Sequence, residues 1–287
     1  MLTQLSLELL FLIVDHLESD ADISSFARTS QFYYGLIINL LYKNGEGNRE
    51  GQALIWACQK GEKRTAELAM NHFNPDDLDL SISRYGESLC VASEQGHLTL
   101  VKIILHRIET LLDKWDPYDC DYWINEALAN AAKHGHLSIA QLLVEKGAEV
   151  NAFAEDGPPL ILAAAAGRGD VVRYLLAKGA SHTSANKYGF TALNEAAQVG
   201  DVESVKTLLE YGAVVDAVGF RNEDRDTALL LASIAGHKDV VTLLLTKGAN
   251  ARHVNACDET ALQLAEDFGH EGVARLLREW EMQMLSA

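Results

Sequence analysis

Residues 191–200 read TALNEAAQVG, residues 227–236 read TALLLASIAG and residues 260–269 read TALQLAEDFG. In each, a leucine is followed three residues later by alanine and four residues after that by glycine. The same spacing occurs in four earlier segments: LIWACQKG from Leu54, LCVASEQG from Leu89, LANAAKHG from Leu128 and LILAAAAG from Leu160. The seven glycines stand at 61, 96, 135, 167, 200, 236 and 269, at intervals of 35, 39, 32, 33, 36 and 33. A unit recurring every ~33 residues that cannot bury its own apolar face is the signature of a stacked solenoid.

Each part of the unit has a mechanical reading. A threonine ahead of the helix can cap an unpaired backbone N–H, and small alanines let a short helix lie close to its neighbours. The glycine turns the chain, and a second apolar stripe follows at helical spacing, as in Val171, Val172, Leu175 and Leu176 or Val240, Val241, Leu243 and Leu244. Gly147-Ala148, Gly179-Ala180, Gly212-Ala213 and Gly248-Ala249 then close the second helix, with glycine free to take the left-handed conformation. Helices this short are marginal alone, below the ~12–15 residues needed in water, so stability must come from stacking. The expected fold is all-α, with helix pairs beginning near 52, 87, 126, 158, 191, 227 and 260.

This pattern resembles the ankyrin-repeat family, whose T-P-L-H-x-A motif is matched best at Thr191-Ala192-Leu193, Thr227-Ala228-Leu229 and Thr260-Ala261-Leu262. The resemblance implies an α-solenoid of about seven repeats with degenerate end repeats and short β-hairpin-like fingers, covering 51–287. The family's motif histidine is replaced in every copy, by Ile55, Cys90, Ala129, Ile161, Asn194, Leu230 and Gln263, so its usual hydrogen-bond network is expected to be absent.

Ahead of the repeats, residues 1–50 form a separate helical module, with Leu5, Leu9, Leu10, Ile13 and Leu17 on one apolar face. This segment resembles an F-box of the fungal type that precedes ankyrin arrays. The motif L-P-x-E-L-L is written here as Leu5-Ser6-Leu7-Glu8-Leu9-Leu10, with serine in place of proline. The resemblance implies that Leu5, Leu9, Leu10, Ile13 and Leu17 dock on the small adaptor of a cullin-RING ubiquitin ligase while the repeats hold a substrate. The alternative is an ankyrin scaffold or regulatory binding protein without a ligase, in which these helices only cap the solenoid.

Composition narrows the partners. Of 287 residues, 24 are Lys or Arg and 41 Asp or Glu, a formal charge of −17 that repels phosphate backbones and anionic lipid. Neither nucleic acid nor membrane is expected as a partner. The longest apolar runs, Leu9–Val14 and Leu160–Ala166, fall far short of the ~20 residues of a membrane helix. Cys58, Cys90, Cys120 and Cys257 have neither CxxC nor zinc-ribbon spacing. A cytoplasmic or nuclear protein, monomeric on its own, is the expectation, with no cofactor and no metal.

By the ankyrin resemblance, a partner sits on the fingers and on the two residues before each inter-helix glycine. From the fourth copy onward that wall turns apolar, with Val199, Ile234 and Phe268, while Phe153, Tyr188 and Phe190 fall at or near finger tips. The segment NEDRD, 222–226, adds Glu223, Asp224 and Asp226, an acidic tip suited to a basic segment carrying an apolar anchor. Glu195 replaces an apolar inner-helix residue and is a further candidate contact. Its carboxylate is also the one feature that would serve an atypical enzyme using the groove, but no nucleophile, P-loop or metal motif accompanies it, and no catalysis is expected. The stretch DKWDPYDCDYW, 113–123, is expected to be a solvated connecting loop.

Overall fold

Alanine at the centre of each motif explains why the helices form as close-stacked pairs. In the computed structural model, which describes residues 49–72, 78–111, 117–218 and 225–286, Ala57, Ala92, Ala131, Ala163, Ala196, Ala232 and Ala265 are all 0% exposed. A methyl group at each of these positions lets neighbouring helix backbones approach where a longer side chain would hold them apart. The chain divides at 116/117 into two compact units.

The described part of the first unit contains two helix pairs, α1 (Arg49–Lys60) with α2 (Lys63–His72) and α3 (Leu78–Glu94) with α4 (Leu98–Leu111). α1 packs on α3, and Leu54, Leu89, Val101 and Ile104 form a core with no exposure. Cys58 is buried there, and burial pushes its thiol up to about 12, which keeps it protonated and unreactive at neutral pH.

The second unit contains five pairs. They are α5 (Pro117–His134) with α6 (Leu137–Glu145), α7 (Pro159–Ala165) with α8 (Gly169–Ala177), α9 (Ala192–Val199) with α10 (Val202–Glu210), α11 (Ala228–Ala235) with α12 (Lys238–Thr246), and α13 (Ala261–Asp267) with α14 (Glu271–Ser286). The first helices stack in one row, α5 on α7, α9, α11 and α13 in turn, and the second helices stack in another, α6, α8, α10, α12 and α14. Among the described residues there is no sheet, and the fingers carry isolated antiparallel bridges at Ala154–Gly157, Ala185–Thr191 and Val254–Thr260.

The seven helix pairs among the described residues agree with the repeat count, with two differences of extent. α3 and α5 begin at Leu78 and Pro117, earlier than the expected 87 and 126. Residues 117–123 of the inserted stretch are therefore the start of a helix and not a loop. Proline at the first position, where its missing N–H is no loss, explains why the helix can start there. Tyr122 stands edge-on to Trp123, with ring centroids 5.1 Å apart. The apolar helices expected at Leu5, Leu9, Leu10, Ile13 and Leu17 lie outside the described residues.

The expected loss of the histidine network needs correcting. Asn194 and Gln263 rebuild it in two of the repeats. The Thr191 hydroxyl accepts from the Asn194 N–H at 3.3 Å and donates to Asn194 Oδ1 at 2.6 Å, while the Thr191 N–H donates to that same oxygen at 3.0 Å. Thr260 and Gln263 repeat the arrangement at 3.3, 3.1 and 2.8 Å. An amide side chain three positions into the helix supplies the acceptor that these reciprocal caps require. Asn194 also reaches the next repeat, its Nδ2 donating to the Asp226 carbonyl at 3.4 Å.

In the sixth repeat the corresponding residue is Leu230, and Thr227 Oγ1 has no hydrogen-bond partner among the described residues although the residue is 0% exposed. The two threonines are thus expected to respond differently to an isosteric change. Thr191→Val should cost ~1 kcal/mol through the lost cap, whereas Thr227→Val should be neutral or stabilising, since it removes a hydroxyl that already lacks a partner. Urea unfolding midpoints of the two variants check this.

A second set of bonds joins successive repeats at the inter-helix turns. At three of the turns the residue after the glycine reaches back over the preceding turn: His237 Nε2 donates to the Gln198 carbonyl at 3.0 Å and His270 Nε2 to that of Ile234 at 2.8 Å. Arg168 Nε donates in the same way to the Lys133 carbonyl at 3.3 Å. At the joint between the fourth and fifth repeats the residue is Asp201, which instead caps its own helix by accepting from the Ser204 N–H at 3.2 Å. The fingers add side-chain links from one repeat to the next, Asn151 to Ser181 N at 2.8 Å and Asp216 to Asn250 N at 3.1 Å.

Candidate functional site

Asn186 builds a hydrogen-bonded fingertip ahead of α9. Its Oδ1 accepts from the Tyr188 N–H at 2.9 Å and the Phe190 N–H at 3.0 Å, and its own N–H donates to the Phe190 carbonyl at 2.9 Å. Asparagine suits this role because its short amide can bond the backbone two residues onward and close a turn. The loop so formed leaves Tyr188 63% exposed and Phe190 half-buried beneath it. Lys187 Nζ lies over the Tyr188 ring, 5.8 Å being the comparable distance for Lys178 over Tyr174 and 5.4 Å the distance here.

Glu195 meets this loop from the first turn of α9. The Asn186 amide Nδ2 donates to Glu195 Oε1 at 2.8 Å, so Tyr188, Phe190 and Glu195 converge on one side chain. Burial raises the Glu195 pKa above its ordinary value, and the Asn186 hydrogen bond offsets only part of that. Since the folded-state pKa is raised, the stability linked to this group is complete below the ordinary glutamate value. It is lost as pH rises through the raised one, so at neutral pH the ionised carboxylate is held at a cost.

The remaining wall residues stand one or two positions before the inter-helix glycines of three successive repeats. Val199 ends α9 and is 43% exposed, Ile234 lies near the end of α11 and is half-buried, and Phe268 caps the C-terminus of α13 and is 58% exposed. Because α9, α11 and α13 stack side by side, with helix axes typically ~8–10 Å apart, these three form a row on the order of 20 Å long. Phe153 belongs to an earlier finger and is 64% exposed. That finger is tied to the inner row by a 2.7 Å bond from Lys133 Nζ to Asp156 Oδ2, and this lysine holds the Asp156 carboxyl below its usual range.

Glu223 and Asp224 lie outside the described residues. Asp226 is buried at 9% exposure and does not belong to an exposed tip. It directly precedes Thr227, the N-cap of α11, and its carbonyl accepts from Asn194, which draws it to the base of the finger. Exposed apolar residues outside the expected set include Tyr211, Val214 and Val218, around the loop that follows α10. The signal available for them was three large apolar side chains just beyond the end of a helix, where no stripe continues.

Among the described residues no group of three or more His, Cys, Asp or Glu side chains is arranged to hold a metal ion. His134 and His136 stack with centroids 6.4 Å apart, and His134 Nδ1 donates to the Asn130 carbonyl at 3.0 Å, which makes them part of the inter-helix turn. Gly167-Arg168-Gly169 joins α7 to α8 and precedes no strand. No helix among the described residues is long and apolar enough to cross a membrane.

Comparison with known proteins places this architecture among its relatives. A family model described as ankyrin repeats (3 copies) matches residues 128–219 and 215–285, and one described as ankyrin repeats (many copies) matches 89–144. The chain is 42% identical over 257 residues to the ankyrin repeat and KH domain-containing protein mask-1 of Caenorhabditis elegans, covering 78% of this chain and 10% of that protein. It is 32% identical over 145 residues to the E3 ubiquitin-protein ligase XBAT33 of Arabidopsis thaliana, covering 50% of this chain and 28% of that protein. It is 30% identical over 154 residues to the glycerophosphocholine phosphodiesterase gde1 of Schizosaccharomyces pombe, covering 53% and 13%. The chain thus spans between about a tenth and three tenths of these relatives' lengths.

Proposed function

The chain belongs to the ankyrin-repeat family, and from that premise we propose that it is a protein-binding scaffold whose second unit receives a protein segment across the fingers and inner helices. The observation that carries this reading is the exposure of Phe153, Tyr188 and Phe268, at 64, 63 and 58%, on supports held by hydrogen bonds and helix stacking. Large aromatic side chains held out from a rigid surface have no core to enter and are the residues that dominate interface energies. The chain's charge of −17, with Glu223 and Asp224 in the neighbouring finger sequence, favours a segment bearing Lys or Arg beside an apolar anchor. Phe190, Glu195, Val199 and Ile234 belong to the same face. The chain contributes binding and not turnover.

Peptides selected from a displayed random library on the wild-type chain test this. Tyr188→Ala and Phe268→Ala are each expected to weaken the selected peptides by ~10-fold or more, the loss typical of an interface anchor. Unchanged affinity in both, with the fold retained, would reject the face.

A second reading makes the scaffold the substrate receptor of a cullin-RING ubiquitin ligase. It rests on the Leu5-Ser6-Leu7-Glu8-Leu9-Leu10 sequence, and a relative bearing the name of a ubiquitin ligase is in keeping with it. Recognition of substrate would then raise its effective concentration beside the conjugating enzyme. Full-length protein should retain the small ligase adaptor in a pull-down, and the double substitution Leu9→Asp, Leu10→Asp should abolish retention. If the unsubstituted chain retains none, the plain scaffold stands.

A further inference from the structure

We propose that Glu195 is a positioning residue that acts through Asn186: the α9 carboxylate fixes the Asn186 amide, and that amide sets the loop presenting Tyr188 and Phe190 to the partner. The proposal rests on the scaffold reading and assigns Glu195 a different role within it, as the residue that couples the fingertip to the inner wall.

The argument turns on the polarity of one side chain. Three hydrogen bonds meet at the Asn186 amide, two accepted by Oδ1 from Tyr188 and Phe190 and one donated by Nδ2 to Glu195 at 2.8 Å. Only with the amide oxygen facing the loop and the nitrogen facing α9 can all three form. An anionic acceptor at Glu195 enforces that orientation, since reversing the amide would set its oxygen against the carboxylate and its nitrogen against two N–H donors.

A second finger shows what is particular to this one. Asn255 accepts from the Cys257 and Glu259 N–H groups at 2.9 Å each and donates to Glu259 Oε2 at 2.9 Å. There the acid belongs to the finger itself and the clasp is self-contained. In the fifth repeat the acid comes from the next helix, four residues before the exposed Val199, so the aromatic tip and the apolar wall share one hydrogen-bonded link. A carboxylate engaged in this way has an oxygen committed within the protein. Its contribution to binding is to hold the tip ready, which reduces the ordering cost a partner must meet.

Reversing the polarity of the link tests the proposal. Asn186→Asp keeps an acceptor for Tyr188 and Phe190 but removes the donor and sets two carboxylates in contact. Exchange of the Tyr188 and Phe190 amides is expected to accelerate by about tenfold, and affinity for a library-selected peptide to fall by about as much, in line with one charge-assisted hydrogen bond. Glu195→Gln loses the charge but keeps an amide oxygen that accepts, so it should change both by less than Asn186→Asp does. The pair Asn186→Asp with Glu195→Gln should restore both, the introduced amide now donating to the introduced carboxylate.

Exchange unchanged in Asn186→Asp, or no recovery in the double variant, overturns the clasp and leaves the binding face standing. A loosened tip with undiminished peptide affinity, while Tyr188→Ala still weakens binding, overturns the positioning role. If Tyr188→Ala and Phe190→Ala also leave the affinity untouched, the fingertip is not the partner's face, and the scaffold reading falls with the proposal.

Discussion

Leu208→Ala should lower the stability of the second unit by ~3 kcal/mol, within the range of about 2–5 found for fully buried leucines. Leu208 lies in α10 at 0% exposure, and α10 packs on both α8 and α12. A cavity there weakens two joints at once. Because no repeat is stable alone, the loss should lower the main urea transition of the array and not detach one end. Leu277→Ala gives the contrast. Leu277 is 1% exposed in α14, the last helix of the row, which packs on α12 and α13, so its loss should fray the last pair ahead of the rest. Circular dichroism against urea should show a shifted midpoint with little change in slope for Leu208→Ala, and a reduced slope or an added early phase for Leu277→Ala. The reverse pattern would show that the repeats are not coupled as their stacking indicates.

The parts of this fold that sequence made legible are those set by spacing. Leu, Ala and Gly at fixed intervals specify a short helix, a close contact and a turn, and each is local enough to read from the chain itself. The alanines at 0% exposure and the glycines with φ between +64° and +81° follow from it directly. The hydrogen bonds were less legible, because they depend on which atom of a side chain faces which neighbour. Asn194 and Gln263 seemed to break a motif and in fact complete it, since an amide offers the same acceptor as the residue it replaces. Asp226 read as part of an acidic finger because its neighbours in sequence are acidic, yet the backbone entering α11 draws it inward.

The candidate face divides along the same line. Phe153, Tyr188 and Phe268 could be placed by their positions relative to the repeat, because finger tips and helix ends have fixed registers in a periodic fold. The meeting of Glu195 with Asn186 could not, for the two are nine residues apart across a turn whose path the spacing leaves undefined. Tyr211, Val214 and Val218 were missed for a similar reason, as they surround the Gly-Ala end of a helix where the repeat pattern carries no side-chain direction.

Gly236→Ala is expected to cost ~3 kcal/mol, of which about 1–2 is the strain of a left-handed backbone with a Cβ and the rest comes from the ring above it. Gly236 has φ +77°, and an added Cβ would lie 2.5 Å from His270 Nδ1, a separation that forces the ring to move. The ring cannot move freely, because His270 Nε2 donates to the Ile234 carbonyl at 2.8 Å. Gly167→Ala separates the two contributions: at φ +64° it carries the same backbone strain, but beyond its chain neighbours no atom of the described residues lies within 4 Å of the added methyl. Its cost should therefore stay at about 1–2 kcal/mol, lessened by the reduced freedom of the unfolded chain. His270→Ala, made alone and with Gly236→Ala, completes the comparison. Removing the ring vacates the space the methyl needs, so the double variant should be more stable than the sum of the single losses predicts, by ~1 kcal/mol or more. Strict additivity would mean that the histidine is not braced against the preceding turn. With coupling, the same brace extends to the binding wall, since it ends on the carbonyl of Ile234 and starts two residues beyond Phe268, and Gly236→Ala should then also weaken a peptide anchored on Phe268.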